Sequence, residues 1–526
     1  MSEYNKISKE VLKMTGQPKD YFEIAATLES MGYSDRRVKN EYGFENVFEL
    51  SKKIFNSINK KQAHSNDYGR QHEQFIHQTS NIFIDVFRGI LSVCPLLISM
   101  FSVFIINFSL WSFMDITKTS IEQATAIAFA TILSMIAAGG FAQTFLRKGH
   151  ALYERNYYKL LWKNYIEYLK VGLITAFAVG IILGFLGLFT GLYRVENIII
   201  FNLYFILLTA LWLSIPVVNL IKVEIMFVIN LLVSIGLVYI LKEILHINII
   251  FSQVVAMIFF TALHMVTLWA VFKFFIKVKK GDSREWDYKP RVLINLYLIA
   301  PYFLYGLMYY ILIFMDRLLA WTANSRVILD PVMRMKGDYE LGMNWAIFAV
   351  IIPMVFIELY VKLFINKIFV AKKKFKITEE RDFSRANTKS FFIYMIVFLI
   401  IGLFGSMISI GVINNIINVY NIELSPYFSN ISTMVFVLAV IGYVLILGGL
   451  LNNIYLLYFS QGIYLLKAVG ISIGVNFILG FLLSRMFEYY FTIFGFLAGA
   501  ITFFVISLYY SYKVLKSVDY YFYKSS

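Results

Sequence analysis

Residues 297–321, YLIAPYFLYGLMYYILIFMDRLLAW, form an apolar run of membrane length that carries a tyrosine stripe and closes on the adjacent charges Asp316 and Arg317. Helical spacing puts Tyr302, Tyr305, Tyr309, Leu312 and Asp316 on one face, because steps of three and four residues keep side chains above one another. Such a face suits a polar, sugar-like passenger better than lipid. A plainer reading stays open: Phe, Trp and Tyr supply 18% of the chain, and an Asp-Arg pair near a helix end can anchor at the headgroups.

Working outward from this run, composition sets the class. Of 526 residues, 59% are hydrophobic and 15% charged, and the mean hydropathy is +0.68, values foreign to a soluble globular chain of this size. Apolar runs of about 20 residues, the length a helix needs to cross roughly 30 Å of hydrocarbon, recur after residue 80. The expected fold class is all-α, a polytopic membrane protein with about 12 transmembrane helices. Spans are expected near 82–111, 121–145, 168–192, 197–219, 224–242, 249–276, 292–316, 342–364, 390–413, 429–452, 462–484 and 490–514.

The net charge of +15 would suggest nucleic acid in a soluble domain. Here topology accounts for it, and no nucleic-acid partner is expected. Lys148, Arg155, Lys159, Lys163 and Lys170 follow the second span, Lys277, Lys279, Lys280, Arg284, Lys289 and Arg291 separate the sixth from the seventh, and a longer run from Lys367 to Lys389 follows the eighth. Lys and Arg are retained on the cytoplasmic side, so these loops and both termini are expected there, in a bacterial inner or plasma membrane. The loop 317–340 departs from the rule, with Arg317, Arg326, Arg334 and Lys336 offset by Asp330, Asp338 and Glu340.

The loop plan repeats. In each set of six spans a long basic loop follows the second span and a short loop follows the fourth, which predicts two six-helix lobes, 81–280 and 292–516, related by an axis along the membrane normal with a substrate path between them. A cytoplasmic linker, 281–291, joins them, and 517–526 is a cytoplasmic tail. Residues 1–62 read as a small helical cytoplasmic unit, followed by a polar linker at 63–80. In that unit Pro18 can open a helix through about Met31, Ser34 can cap a second that stops at Gly43, and Phe44, Val47, Phe48, Ser51, Ile54, Phe55 and Ile58 give a third an apolar face with one polar gap.

Several chemistries are missing. The one cysteine, Cys94, lies in the first span, so neither a disulfide framework nor a cysteine metal site is expected. His64, His72 and His77 do not have ligand spacing, and no phosphate-binding glycine loop occurs. No outer loop carries paired carboxylates, and Asp115 stands alone. No cofactor, metal or catalytic residue is therefore assigned, and the chain is not read as an enzyme. His264 reads as a hydrogen-bonded core residue. Gly139-Gly140 and Gly448-Gly449 read as close-packing points. What remains is a set of ionisable residues in or near spans, costly in hydrocarbon and so expected to face a cavity or each other. Asp85 with Arg88 and Glu358 with Lys362 sit one turn apart, as local ion pairs that anchor at the interface or meet substrate, while Arg147 and Lys148 close the second span, where they can attract an anionic headgroup or anchor at the interface. With Tyr302, Tyr305, Tyr309, Asp316 and Arg317 they make up the candidate substrate path.

Three stretches carry a family resemblance. GLMYYILIFMDRLLAWTANS, residues 306–325, resembles the seventh span of the PelG-type transporter of the Pel exopolysaccharide system, an aromatic-rich helix ending in Asp, a basic residue, two apolar residues and a nearby Trp. FAQTFLRKGHALYERNYYKLLWKNY, residues 141–165, resembles that family's segment after its second span, and AIFAVIIPMVFIE, residues 346–358, its eighth span around Ile-Ile-Pro. The family belongs to the multidrug/oligosaccharidyl-lipid/polysaccharide flippase superfamily, whose fold is two bundles of six helices around a central cavity. The resemblance implies an exporter of a polysaccharide or lipid-linked glycan that works by alternating access among membrane lipids. A cytoplasmic glycosyltransferase docking on the basic loops or the N-terminal unit is an expected partner. A cation-coupled multidrug antiporter of the same superfamily and a membrane glycosyltransferase, or a scaffold for one, are the alternatives.

Overall fold

The computed structural model describes residues 7, 11, 20–62, 82–111, 120–154, 156–191, 193–278, 292–323, 333–374, 379–419, 429–517 and 520–521. The side chains of Asp85, Glu358 and Lys362 lie outside the described ones, as do the linker at 279–291, Asp115, and the three histidines of the polar linker. Among the described residues the regular elements are helices, and none is a strand.

Among the described residues the N-terminal unit contains the helices α1 Tyr21–Ser30, α2 Asp35–Tyr42 and α3 Val47–Gln62. Pro18 lies outside the described residues, and the cap of α1 is Asp20, which accepts from the Glu23 amide at 2.9 Å. Ser34 caps α2, and Gly43 ends it in the left-handed region at φ 74°, a conformation that suits glycine because it has no Cβ. Ile24, Leu28, Val38, Val47, Leu50 and Ile54 are buried together. Ser51, the polar gap on that face, is buried and returns its hydroxyl to the Val47 carbonyl at 2.6 Å.

The membrane part contains α4 Ile82–Ile106, α5 Ile121–Glu154, α6 Tyr158–Thr190, α7 Val195–Ile221, α8 Glu224–Tyr239, α9 Ile249–Val278, α10 Val292–Trp321, α11 Gly337–Ala349, α12 Ile351–Lys374, α13 Glu380–Val419, α14 Asn430–Tyr458, α15 Gly462–Met486 and α16 Thr492–Lys516. Among the described residues eleven helices are long and apolar enough to cross a membrane, and α11 with α12 makes a twelfth span bent by 44°. The sequence predicts one continuous helix there. Pro353 explains the break, because it has no N–H to donate and its ring would clash with the carbonyl four residues back, that of Ala349. The helix ends at Ala349 and restarts at Ile351.

Helix neighbours repeat between the halves. In the first half α5 packs on α6 and α7, α6 on α7, α4 on α8, α7 on α9 and α8 on α9. In the second, the corresponding spans pair the same way: α11 and α12 on α13 and α14, α13 on α14, α10 on α15, α14 on α16 and α15 on α16. The halves meet along two further pairs, α5 with α10 and α4 with α12. A two-fold operation that carries the first span onto the seventh exchanges these two contacts, as the parallel type of transporter repeat requires.

Small residues set the approach. Gly172, Ala176, Gly180 and Gly184 form a buried stripe along α6, and a Cβ at Gly172 or Gly180 would meet Leu213 or Asn202 of α7, the close contact small residues allow in hydrocarbon. The outward faces, with Phe177, Phe185 and Phe189 on α6 and Ile396, Phe404 and Met407 on α13, are exposed and apolar, as lipid contact demands. His264 is buried on α9, where its Nδ1 lies 3.2 Å from Asn230 Nδ2 and its ring stacks on Phe260.

Candidate functional site

The site is assembled around α10, which presents two adjacent faces to different neighbours. The middle of the tyrosine face, Tyr305 and Tyr309, turns into the second lobe. Tyr305 is fully buried and its hydroxyl accepts from Asn453 Nδ2 on α14 at 3.2 Å. Tyr309 lies against Phe503 of α16, ring centroids 6.1 Å apart, and the Leu312 carbonyl accepts from Asn476 of α15. The neighbouring face, Phe303, Gly306 and Tyr310, meets α5 of the first lobe, where a Cβ added at Gly139 or Gly140 would collide with Gly306, Tyr310 and Phe303. Gly139-Gly140 is thus a close-packing point between the lobes. Gly448-Gly449 plays that part within the second lobe, against Phe504 and Phe503.

Asp316 and Arg317 each bond to a different residue of α11. The Tyr339 hydroxyl donates to Asp316 Oδ2 at 2.6 Å. Arg317 Nη1 donates to Glu340 Oε2 at 2.7 Å and to Asn344 Oδ1 at 3.1 Å, and Trp321 Nε1 donates to the other Glu340 oxygen at 2.9 Å. All are deeply buried: Asp316 is 0% exposed, Arg317 6% and Glu340 7%. Both Glu340 oxygens are engaged, whereas Asp316 Oδ1 and Arg317 Nε and Nη2 have no hydrogen-bond partner among the described residues. Glu340 and Tyr339 were invisible as partners in the sequence, which counts Glu340 among the charges of a loop. In the structure α11 begins at Gly337, so Glu340 stands inside the span. The usable signal was Trp321, whose buried indole N–H needs an acceptor.

The lobes touch at both ends of the α5–α10 seam. At the end that carries the basic turn between α5 and α6, Arg147 donates to Ser460, in the turn between α14 and α15, and its guanidinium lies 5.3 Å from the Tyr302 ring centroid. At the opposite end, here the far end, the strap 333–336 that leads into α11 crosses to the first lobe. The Met335 amide donates to Thr125 Oγ1 at 3.1 Å, and the Met333 amide to the Tyr193 hydroxyl at 3.0 Å. The structure therefore separates the two basic candidates: Arg147 sits on the seam, whereas Lys148 turns to Tyr168 of its own lobe, 5.9 Å from the ring centroid. Arg88 is half-buried on α4, and no described contact joins it to α10. Among the described residues no group of three or more His, Cys, Asp or Glu side chains could hold a metal ion.

Against known proteins, residues 79–523 match the model of the family described as "PelG: Putative exopolysaccharide Exporter (EPS-E)". The chain belongs to the PelG family. No curated protein sequence matches it. The fold of this PelG-family chain is similar to that of a mutant of the Vibrio cholerae MATE transporter VcmN, at 15% identity and a TM-score of 0.53, covering 84% of this chain and 99% of that one. It is also similar to the eukaryotic MATE transporter AtDTX14, at 11% identity over 84% of this chain and 99% of that one, TM-score 0.53. A MOP-superfamily transporter from Pyrococcus furiosus matches at 12% identity over 82% of this chain and 96% of that one, TM-score 0.52. At such identities the likeness fixes the fold alone, while the family match makes the chain a membrane transporter. The PelG match favours the exporter over the antiporter and the glycosyltransferase.

Proposed function

We propose that the chain exports a polysaccharide, or a lipid-linked glycan, by rocking one six-helix lobe against the other, with the passenger moving along the α5–α10 seam. The basic end is the cytoplasmic one, because its Lys and Arg resist translocation, and the membrane is the bacterial plasma membrane. The observation that carries this reading is the construction of the seam. Its middle is held by glycines in close contact, and among the described residues its two ends are closed by few polar contacts, Arg147 to Ser460 at one and the strap 333–336 to Thr125 and Tyr193 at the other. Such contacts are cheap to exchange for water, so either end can open while the other holds. The rings of Phe141 and Phe303, 5.1 Å apart at the seam, and of Tyr302 and Tyr310 offer faces on which sugars stack. Substrate capture fits the positive charge of Arg147 beside Tyr302, and the N-terminal unit and basic loops offer docking surface for a cytoplasmic glycosyltransferase.

The test is to close the basic end covalently. With Arg147→Cys and Ser460→Cys in a Cys94→Ser background, oxidation is expected to stop export in whole cells and reductant to restore it. Undiminished export by the cross-linked protein would refute the rocking mechanism. Asp316 and Arg317 belong to the far-end gate in this reading. Asp316→Ala is expected to abolish export while the protein stays in the membrane at its normal amount, read by secreted polysaccharide against an immunoblot of the membrane fraction.

A further inference from the structure

Among the described residues the cluster at the far end of α10 does not balance its charge. Arg317 and Glu340 neutralise each other through a 2.7 Å pair, and Trp321 occupies the remaining Glu340 oxygen. Among the described residues Asp316 then has no cation beyond the neighbouring Arg317, which Glu340 already holds. Its Oδ2 is held by a neutral donor, the Tyr339 hydroxyl, and its Oδ1 is fully buried with no hydrogen bond among the described residues. Other groups near it do not supply the missing charge. Tyr443 on α14 lies beside Arg317 and brings no cationic group. Arg485 on α15 donates to the Leu319 carbonyl and the Thr322 hydroxyl, farther along α10, and to the Ser484 hydroxyl of its own helix. An ionised Asp316 would therefore leave a net negative charge inside the membrane domain, which is strongly disfavoured, whereas one proton on the carboxylate makes the cluster neutral. The described residues hold no metal-binding group, and a lone oxygen with no further ligands suits a proton better than a metal ion.

The partner of Asp316 is also the element that carries the far-end contact. Tyr339 stands three residues after Lys336, where the strap 333–336 ends, and the strap makes the bonds to Thr125 and Tyr193 of the other lobe. Its Arg334 amide is tied back to the Trp321 carbonyl on α10 at 3.2 Å. We propose that Asp316 is a proton-binding site that operates the far-end latch: protonated, it lets α11 and the strap sit closed as in this structure, and on giving up its proton to water it drives them apart from α10 and the first lobe. The step is a carboxylic acid losing a proton to bulk water and regaining it, with no other bond made or broken. Because the closed latch buries the carboxylate, proton release needs opening, and occupancy and opening are linked reciprocally. The sign follows: closure is complete at low pH and is lost as pH rises.

The inference rests on the alternating-access reading only for the use made of the proton, so it is tested on the isolated full-length protein in lipid, without a passenger. Infrared difference spectra across a pH titration are expected to show the carbonyl band of a buried protonated carboxylic acid, shifted in heavy water and absent from Asp316→Asn. Spin labels at Ile121→Cys and Arg334→Cys, in a Cys94→Ser background, are expected to move to longer separations as pH rises. In Asp316→Asn, which is neutral at every pH, they should keep the short separation. Tyr339→Phe, which keeps the carboxyl but removes its bond to α11, should retain the infrared band and lose the pH-dependence of the distance. A wild-type protein without the band, a distance that ignores pH, or an Asp316→Asn protein that follows pH like the wild type would each overturn the proposal. None of these outcomes bears on whether polysaccharide is the passenger.

Discussion

Glu340→Ala is expected to be the most damaging single change in the second lobe, because it strands a buried guanidinium. Arg317 is 6% exposed, and its only charged partner among the described contacts is Glu340 at 2.7 Å. Removing one member of a buried pair costs about 3–5 kcal/mol, since the survivor keeps its desolvation penalty without the attraction that offset it. Trp321 Nε1 loses its acceptor at the same time, adding about 1–3 kcal/mol for a buried donor left unmade. In purified protein the thermal midpoint should fall on the order of 10 °C. The double variant Arg317→Met with Glu340→Leu should regain more than half of that loss, because replacing both charges by apolar groups of similar volume is often neutral or stabilising. A Glu340→Ala protein with an unchanged midpoint would mean that the pair is solvated and not a buried brace between α10 and α11.

Gly139→Leu is expected to disable export by holding the seam apart. A Cβ at Gly139 would stand 2.6 Å from the Gly306 carbonyl oxygen and 2.8 Å from Cε2 on the edge of the Tyr310 ring. The ring can turn, but the backbone oxygen cannot withdraw without moving α10. Overpacking of this kind costs about 1–3 kcal/mol, and if the cost falls on the closed seam alone it shifts the closed–open equilibrium by roughly 5–150-fold. The measurement is the yield of the Arg147→Cys to Ser460→Cys disulfide, which should drop together with secreted polysaccharide. Gly236→Ala is the control, since the space around a Cβ there is empty and it should leave both readouts unchanged. Equal cross-linking in Gly139→Leu and the parent would remove the glycine contact from the mechanism.

The contrast between these two sites separates what local pattern carries from what it does not. Hydropathy over windows of membrane length identified the class and the number of spans, because a helix in lipid must be apolar along its whole length whatever it packs against. Ser34 and Gly43 were readable as helix ends because capping and a left-handed residue are satisfied within a few residues of chain. The glycine pairs were readable as contacts for a similar reason, since a missing side chain in a span permits close approach. The break at Val350 was within reach, because Pro353 forbids the carbonyl contact at Ala349, but a hydropathy window averages across it.

The stretch 297–321 shows the limit. Its periodicity determined that Tyr302, Tyr305, Tyr309, Leu312 and Asp316 share a face, since that follows from 3.6 residues per turn. It could not say what the face meets. Only the packing of α10 between α5, α15 and α16 turned Tyr305 and Tyr309 into the second lobe and left Tyr302, Gly306 and Tyr310 to the seam. In the same way Asp316 and Arg317 are adjacent in sequence, yet their bonds go to Tyr339 and Glu340, 23 residues on. Adjacent side chains on a helix point about 100° apart, so their partners were fixed by the neighbouring helix and not by each other.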